Sequence, residues 1–496
     1  MPSASDASPA PNAGRPVPAA PPAERRPVEQ ACFWMATRRR PADPPLSGRR
    51  EADVAIVGAG FTGLWTALFL KALDPGREVT VLEQGMAAYG ASGRNAGMLG
   101  ECLDHSHALA VAHFGREEAR RLAALGRENT DGLLRFLTRH GVDCDVERTG
   151  QLYVALSAGQ FDELREAAEA AWSLGMPHYR LLDREAVRAE LRCERYHGAL
   201  YNPHCGILNP VKLVEGLKRE AERRGVAFFE RTRVTALEPG RDLVRLRTLS
   251  SAPGGEAEAG APLRGEIAAR RVVLATNAHT HLIFPRLLKR YIPLYDYILV
   301  SEPLTAEQQG RIGWRNRQSV TDARAFFKYY RLTADNRILW GTSEAAYYPG
   351  NRVDRSCDHS ERHYAELRAS FRRHFPALGD LRFPYAWGGA ICSTTRFTPF
   401  FGTAHRGRVL YGLGYTGHGI ASTHLAGQIL AHLTLERPSP LLDLKMVRRK
   451  PFPYPPEPLR GLAVRLVSRA LRRVDAGGKP GLLLRLLDAM GIGLSS

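Results

Sequence analysis

DVAIVGAGFTGLWTALFLK, residues 53–71, holds a strand, a turn and a helix in one short run. Val54–Val57 is apolar, Gly58-Ala-Gly60-Phe-Thr-Gly63 supplies the turn, and apolar residues then recur at helical spacing to Leu70. Each glycine has its own physical task. Gly58 permits the tight turn, Gly60 lets a pyrophosphate approach the backbone, and Gly63 allows close packing of helix on strand. Phe61 and Thr62 open the helix, whose first N–H groups and dipole favour phosphate. A second strand, EVTVLE, ends on Glu83, 20 residues after Gly63, with Gln84 beside it. A carboxylate there would accept from ribose hydroxyls and disfavour a 2′-phosphate. The order strand, turn, helix, strand, acid predicts an α/β fold of Rossmann type and a dinucleotide, without choosing between NAD and FAD.

Working outward, YGASGRNAGM at 89–98 is a run of small residues around one arginine. Helical text follows at 115–140, 160–192 and 210–225, the last opened by Pro210 and closed by Gly225. Strand-like text lies at 151–156, at 226–238 and at 270–278, RRVVLATNA. Residues 249–265 are low in complexity and predict an exposed hairpin loop. YDYILVSEP, AFFKYYRLTADNRILWGTSE and PYAWGGAICSTTRFTPFFG then form a strand-rich block. After it, Gly412-Leu-Gly414-Tyr-Thr-Gly417-His418-Gly419 joins a strand to a long helix, whose N-terminus could stabilise negative charge near N1 of a reduced flavin.

The interleaving predicts a discontinuous cofactor-binding domain from residues 51–140, 205–285 and 385–440. Residues 141–204 and 286–384 would form a substrate domain on a mixed, mainly antiparallel β-sheet. Residues 1–50, rich in Pro, Ala and Arg, are expected to be mostly disordered, and 441–496 to be a basic helical tail.

A chain of 496 residues can bury more than one core. No apolar run reaches the eighteen residues needed to span a bilayer, and the N-terminus lacks the apolar stretch of a secretory signal, Arg25-Arg26 notwithstanding. The expected location is cytoplasmic, with attachment to a membrane periphery as an option. Seven cysteines without a CxxC pair argue against a disulfide framework and against zinc. HSH at 105–107 and HTH at 279–281 lack acidic or thiol companions at ligand spacing, so no metal is expected. The net charge of +18 is concentrated at the ends, with +4 in residues 1–50 and +8 in 445–496. Solvated arginine-rich faces explain that distribution better than nucleic acid does.

With these pieces placed, the chain resembles the flavin-dependent D-amino-acid oxidase/glycine oxidase superfamily. Its nearest look is to the branch of gamma-glutamylputrescine and aminophosphonate oxidoreductases. The carriers are FW at 33–34, DVAIVGAGFTGLWTALFLK, GASGRNAG, GLKREAERRGVAFFERTRVTALE, VVLATNA, YYRLTADNRILWG and GYTGHG. The resemblance implies FAD. It implies that Ala91, Ser92, Arg94, Asn95, Ala96 and Gly97 meet pyrophosphate or flavin, that Val234 lies against the adenine side through its backbone, and that the strand end from Ala275 to Ala278 closes over the cofactor. Gly414, Gly417, His418 and Gly419 would approach the isoalloxazine.

Arg94 stands where some relatives carry a flavin-linking histidine, and Gly389, three residues before Cys392, stands near the linking cysteine of sarcosine oxidases. Noncovalent FAD is therefore expected. Ala421 replaces the lysine that grips a substrate carboxylate in sarcosine oxidases, which favours an amine. Leu339 replaces their oxygen-activating lysine, leaving oxygen or another electron acceptor open.

The implied reaction is oxidation of the C–N bond of a small amine or amino-acid-like substrate by hydride transfer to flavin, followed by imine hydrolysis. The candidates for catalysis are His418, held neutral at a helix N-terminus, and Tyr329 and Arg331 of the substrate sheet. Two alternatives remain: a tRNA-modifying flavoprotein, and a membrane-peripheral amino-acid dehydrogenase feeding quinone. LRGLAVRLVSRALRRVD (459–475) could lie on an anionic membrane through a stripe of Leu462, Leu466, Ala470 and Val474, or dock on its own domain.

Overall fold

A computed structural model describes residues 27–103, 106–250, 263–489 and 492. Two eight-stranded sheets organise the chain. In the first, Gly48–Val57 lies between Leu263–Leu274 and Val79–Leu82, all parallel. Ala227–Phe229 extends one side and Val409–Leu413 the other, both parallel, and Phe400–Ala404 closes the edge antiparallel. A ribbon of Thr232–Pro239 and Val244–Ser250 joins Leu263–Leu274.

Parallel strands covered on both faces need apolar residues at every position, which is why AIV and VVL read as unbroken runs. Side chains alternate between the faces. Val54 and Ile56 pack with the helices Phe61–Leu73, Pro210–Arg223 and Gly419–Leu435, whereas Ala55 and Val57 pack toward the ribbon and the second sheet. Gly427 lets two of those helices touch, since a Cβ there would lie 2.5 Å from Cβ of Trp65.

The second sheet runs in the order Tyr385–Ser393, Ile292–Pro303, Arg337–Thr342, Lys328–Leu332, Ser319–Asp322, Gln151–Ala155, Gly198–Asn202 and Arg180–Leu182. Ser319–Asp322 and Gln151–Ala155 are its parallel pair; the other neighbours are antiparallel. It is the mixed, mainly antiparallel sheet expected from the sequence.

Two expectations are corrected. Tyr385–Ser393 was assigned to the cofactor-binding part, yet it pairs along its whole length with Ile292–Pro303. The segment 1–50 is ordered from Pro27 onward: Val28–Ala31 and Phe33–Ala36 are short helices, and Cys32, Phe33 and Trp34 are buried. Burying two large aromatic side chains gives this lead an apolar stabilisation that its Pro/Ala-rich neighbourhood does not suggest. Residues 1–26, His105 and most of the 249–265 loop lie outside the described residues.

Candidate functional site

A cavity of about 1220 Å³ lies between the two sheets, above the roughly 300–1,000 Å³ typical of a small-ligand pocket. One part of its wall is the turn after Gly48–Val57. Gly58 has φ +109°, and a Cβ there would sit 2.8 Å from the Ala275 carbonyl oxygen. Gly60 faces Ser92, whose Oγ accepts from the Phe61 N–H at 2.8 Å. Gly63 stands behind the wall, where a Cβ would meet Gly58 O at 2.0 Å. Ser92 takes the first N–H of the helix Phe61–Leu73, and Gly60, with no side chain to cap it, leaves the N–H groups that follow to a ligand.

Glu83 is anchored on both oxygens: Oε2 accepts from Ala59 N and Oε1 from Gly85 N, each at 2.9 Å. A carboxylate offers about four acceptor positions, so ribose hydroxyls can be added to these bonds. Burial raises its pKa, and the two N–H donors oppose that rise. Gln84, Val234 and Ala275 complete this part of the wall. A dinucleotide with its pyrophosphate over the turn fits these residues.

The 89–98 segment forms the next part. Ala91, Ser92, Arg94, Asn95 and Ala96 line the cavity, while Gly97 lies behind it. Four carbonyls of the segment are gripped by side chains from elsewhere. Cys32 Sγ donates to Gly93 O at 3.5 Å, Trp387 Nε1 to Arg94 O at 2.9 Å, Trp34 Nε1 to Asn95 O at 2.8 Å, and Arg331 Nη1 to Gly97 O at 2.8 Å. Arg94 itself is not a free charge for phosphate. Its guanidinium pairs with Asp358 at 2.6 Å and donates to Tyr89 O at 2.7 Å and Gly388 O at 3.2 Å. Arg94 lines the cavity as expected, but its charge is taken up by Asp358, and its bond to Gly388 O ties the segment to the second sheet.

Of the three residues expected at the chemistry, two line the cavity. His418 precedes the helix Gly419–Leu435, with Gly417 and Gly419 beside it in the wall. Desolvation lowers its pKa, which keeps the imidazole neutral. Gly414 lies behind the wall, its N–H donating to Asn277 Oδ1 at 3.2 Å. Tyr329 projects from Lys328–Leu332 over Gly341 of the neighbouring strand, where a Cβ would sit 2.2 Å from its ring. Arg331 is the correction. It is 1% exposed, absent from the cavity wall, and donates to Gly97 O, Leu208 O (2.7 Å) and Leu332 O (3.0 Å). Strand alternation points the side chain two residues after Tyr329 to the same face, but there it meets backbone instead of cavity.

Sequence reasoning missed Asp296. This acid sits in Ile292–Pro303, lines the cavity, and accepts from the Tyr329 hydroxyl through Oδ2 and from Tyr297 N through Oδ1 at 2.8 Å. It is half-buried, open to the cavity on one side, and the protein packed around the rest of it desolvates the carboxylate. Desolvation pushes its pKa up to about 7, against the lowering by the Tyr329 hydroxyl, the Tyr297 N–H and the Lys328 charge. The available signal was one carboxylate inside an otherwise apolar and aromatic strand, LYDYILV.

His279 of HTH, weighed from the sequence only as a metal ligand, also lines the cavity, with burial bringing its pKa down to about 4. Glu101, His178 and His204 have ligand-type atoms within 4.8 Å of one another, a grouping that local spacing did not foretell. In it His178 Nε2 and Asn202 Nδ2 each lie 2.8 Å from Glu101 Oε1.

Comparison with known proteins places this geometry. The family model described as DAO, FAD dependent oxidoreductase, matches residues 53–433. Gamma-glutamylputrescine oxidoreductase of Escherichia coli is 31% identical over 382 residues, covering 77% of this chain and 83% of the relative. Probable oxidoreductase OrdL of Rhizobium meliloti is 30% identical over 434 residues, covering 86% and 94%. Glycine oxidase from Geobacillus kaustophilus shares the fold with a TM-score of 0.65 at 22% identity, covering 80% of this chain and 99% of that one. The cofactor that the cradle fits is thus FAD, and the chain belongs to the DAO family of FAD-dependent oxidoreductases.

Proposed function

We propose that this enzyme oxidises the C–N bond of a small amine whose nitrogen is held by Asp296. The carrying observation is that carboxylate, enclosed in the cavity wall and fixed by Tyr329. A buried acid is costly unless paired, so an ammonium group is the complementary ligand. FAD supplies the hydride acceptor when bound. The residues of the chain do the rest. Asp296 binds the protonated nitrogen and takes one proton from it, leaving the lone pair that assists loss of hydride from the adjacent carbon. With a pKa raised to about 7, Asp296 is well matched to that transfer near neutrality. Tyr329 holds the acceptor oxygen in place, and neutral His418 adds no positive charge to repel the amine.

The Escherichia coli relative is named for gamma-glutamylputrescine, an aliphatic amine, which supports this reading. The test is anaerobic mixing of the yellow enzyme with polyamines, gamma-glutamyl amines, aminophosphonates and simple amino acids. Bleaching by the first two classes and none by glycine or proline is expected. Bleaching by glycine or proline alone would overturn the proposal.

The flavin is held by contacts alone in this account. Cys392 lines the cavity, but burial pushes its thiol pKa well above the ordinary value, disfavouring the thiolate a linkage needs. Acid precipitation should therefore leave the yellow colour in the supernatant; colour retained in the pellet would show a covalent bond.

A further inference from the structure

The helix Leu459–Asp475 has two faces with different surroundings. Arg460, Ala463, Val464, Val467, Ser468 and Leu471 recur at helical spacing and line the cavity. The helix is locked in place at both ends. Arg460 donates to Asn351 Oδ1 at 2.8 Å and Pro455 O at 3.0 Å, and Asp475 accepts from Ala325 N at 2.8 Å and Phe326 N at 2.9 Å. The tail docks on its own fold, but not through the stripe read from the sequence, because Leu462 and Leu466 face outward.

That outer face is apolar and cationic. Leu459, Leu462 and Leu466 are 58%, 54% and 45% exposed, and Phe452, Leu482, Leu483 and Leu486 are exposed near them in sequence. Seven of the thirteen large apolar side chains exposed among the described residues fall in this stretch, so they form a local concentration and not background scatter. Arg465, Arg469, Arg473 and Lys479 are exposed and form no ion pair among the described residues, and 445–496 carries a net +8. A second copy brought face to face would set these charges against one another, and nucleic acid has no use for the leucines. Leucines set among unpaired cations match an anionic bilayer, where apolar groups enter the headgroup boundary and cations meet lipid phosphates.

We propose that the outer face of Leu459–Asp475, with Leu482, Leu483 and Leu486 of the helix that touches it, docks on an anionic bilayer. Docking sets the tail wall of the substrate cavity at headgroup level. The proposal goes beyond the substrate assignment and does not depend on it. The test is cosedimentation of the full-length holoenzyme with vesicles of phosphatidylcholine alone or mixed with phosphatidylglycerol, at low and high salt. The wild type should bind the anionic vesicles at least about tenfold more tightly than the neutral ones, and lose that preference at high salt. Leu462→Asp/Leu466→Asp should weaken anionic-vesicle binding by about tenfold or more, with amine turnover in vesicle-free solution unchanged. Equal binding by wild type and variant, or no binding by the wild type at low salt, would overturn it. A wild-type dimer that the variant dissolves would do so as well, by showing that the face belongs to a second copy.

Discussion

Asp296→Asn is expected to lower kcat/KM for the amine on the order of 10²–10³-fold while the protein stays folded and yellow. The amide keeps the shape and can still accept from Tyr329, but it neither pairs with an ammonium nor takes its proton. Losing one member of a buried charge pair typically costs about 2–5 kcal/mol, which sets that range. The pH profile is the sharper signature. Because desolvation raises the Asp296 pKa to about 7, kcat/KM in the wild type should climb as pH rises through that value, and the variant should lack the climb. Tyr329→Phe removes a hydrogen bond that lowers this pKa, so its climb should shift to higher pH.

Stability moves in the opposite direction from activity. The folded-state pKa of Asp296 lies above its ordinary value of 3.8, so its contribution to folding is greatest at acid pH and is lost as pH rises toward about 7. Above that, Asp296→Asn should melt no lower than the wild type. A site that keeps a carboxylate where an amide would fold as well is holding it for function. Thermal melts at pH 5 and pH 8 check the sign: the advantage of the variant should appear at the higher pH.

Gly58→Ala should give a colourless protein, with FAD affinity down by about 100-fold or more. Two penalties meet at one atom. The backbone has φ +109°, where a non-glycine residue costs about 1–3 kcal/mol, and the added methyl would press on the Ala275 carbonyl at 2.8 Å. Relief requires moving either the turn or Ala275, and both line the cavity. Gly225→Ala separates strain from site. It has φ +81° at the end of Pro210–Arg223, with nothing within 4 Å of its Cβ, so it should lower the Tm yet purify yellow. A yellow Gly58→Ala protein with ordinary FAD affinity would contradict the cradle.

What could be read from the sequence divides along a physical line. The Gly58-Gly60-Gly63 turn and Glu83 were legible because their roles are set by local backbone geometry, within one strand–helix–strand unit. Residues whose roles depend on distant partners were not. Nothing near Arg94 announces Asp358, and with that partner its charge belongs to the structure and not to the cofactor. Arg331 likewise looked available until Gly97 and Leu208 were seen to hold it. The tail failed differently: Leu459–Asp475 carries apolar residues on two stripes, and periodicity finds stripes without saying which one is covered. Tyr385–Ser393 was misassigned because an apolar, glycine-containing strand reads alike in either sheet.

Asp296 is proposed as the group that holds the substrate nitrogen and accepts its proton. The most direct test is the second-order rate of anaerobic flavin reduction at subsaturating concentrations of one amine, measured against pH in wild type and Asp296→Asn side by side. The account predicts a limb rising through about pH 7 in the wild type and a low, flat profile over that range in the variant. The same rising limb and the same rate in both proteins would contradict it.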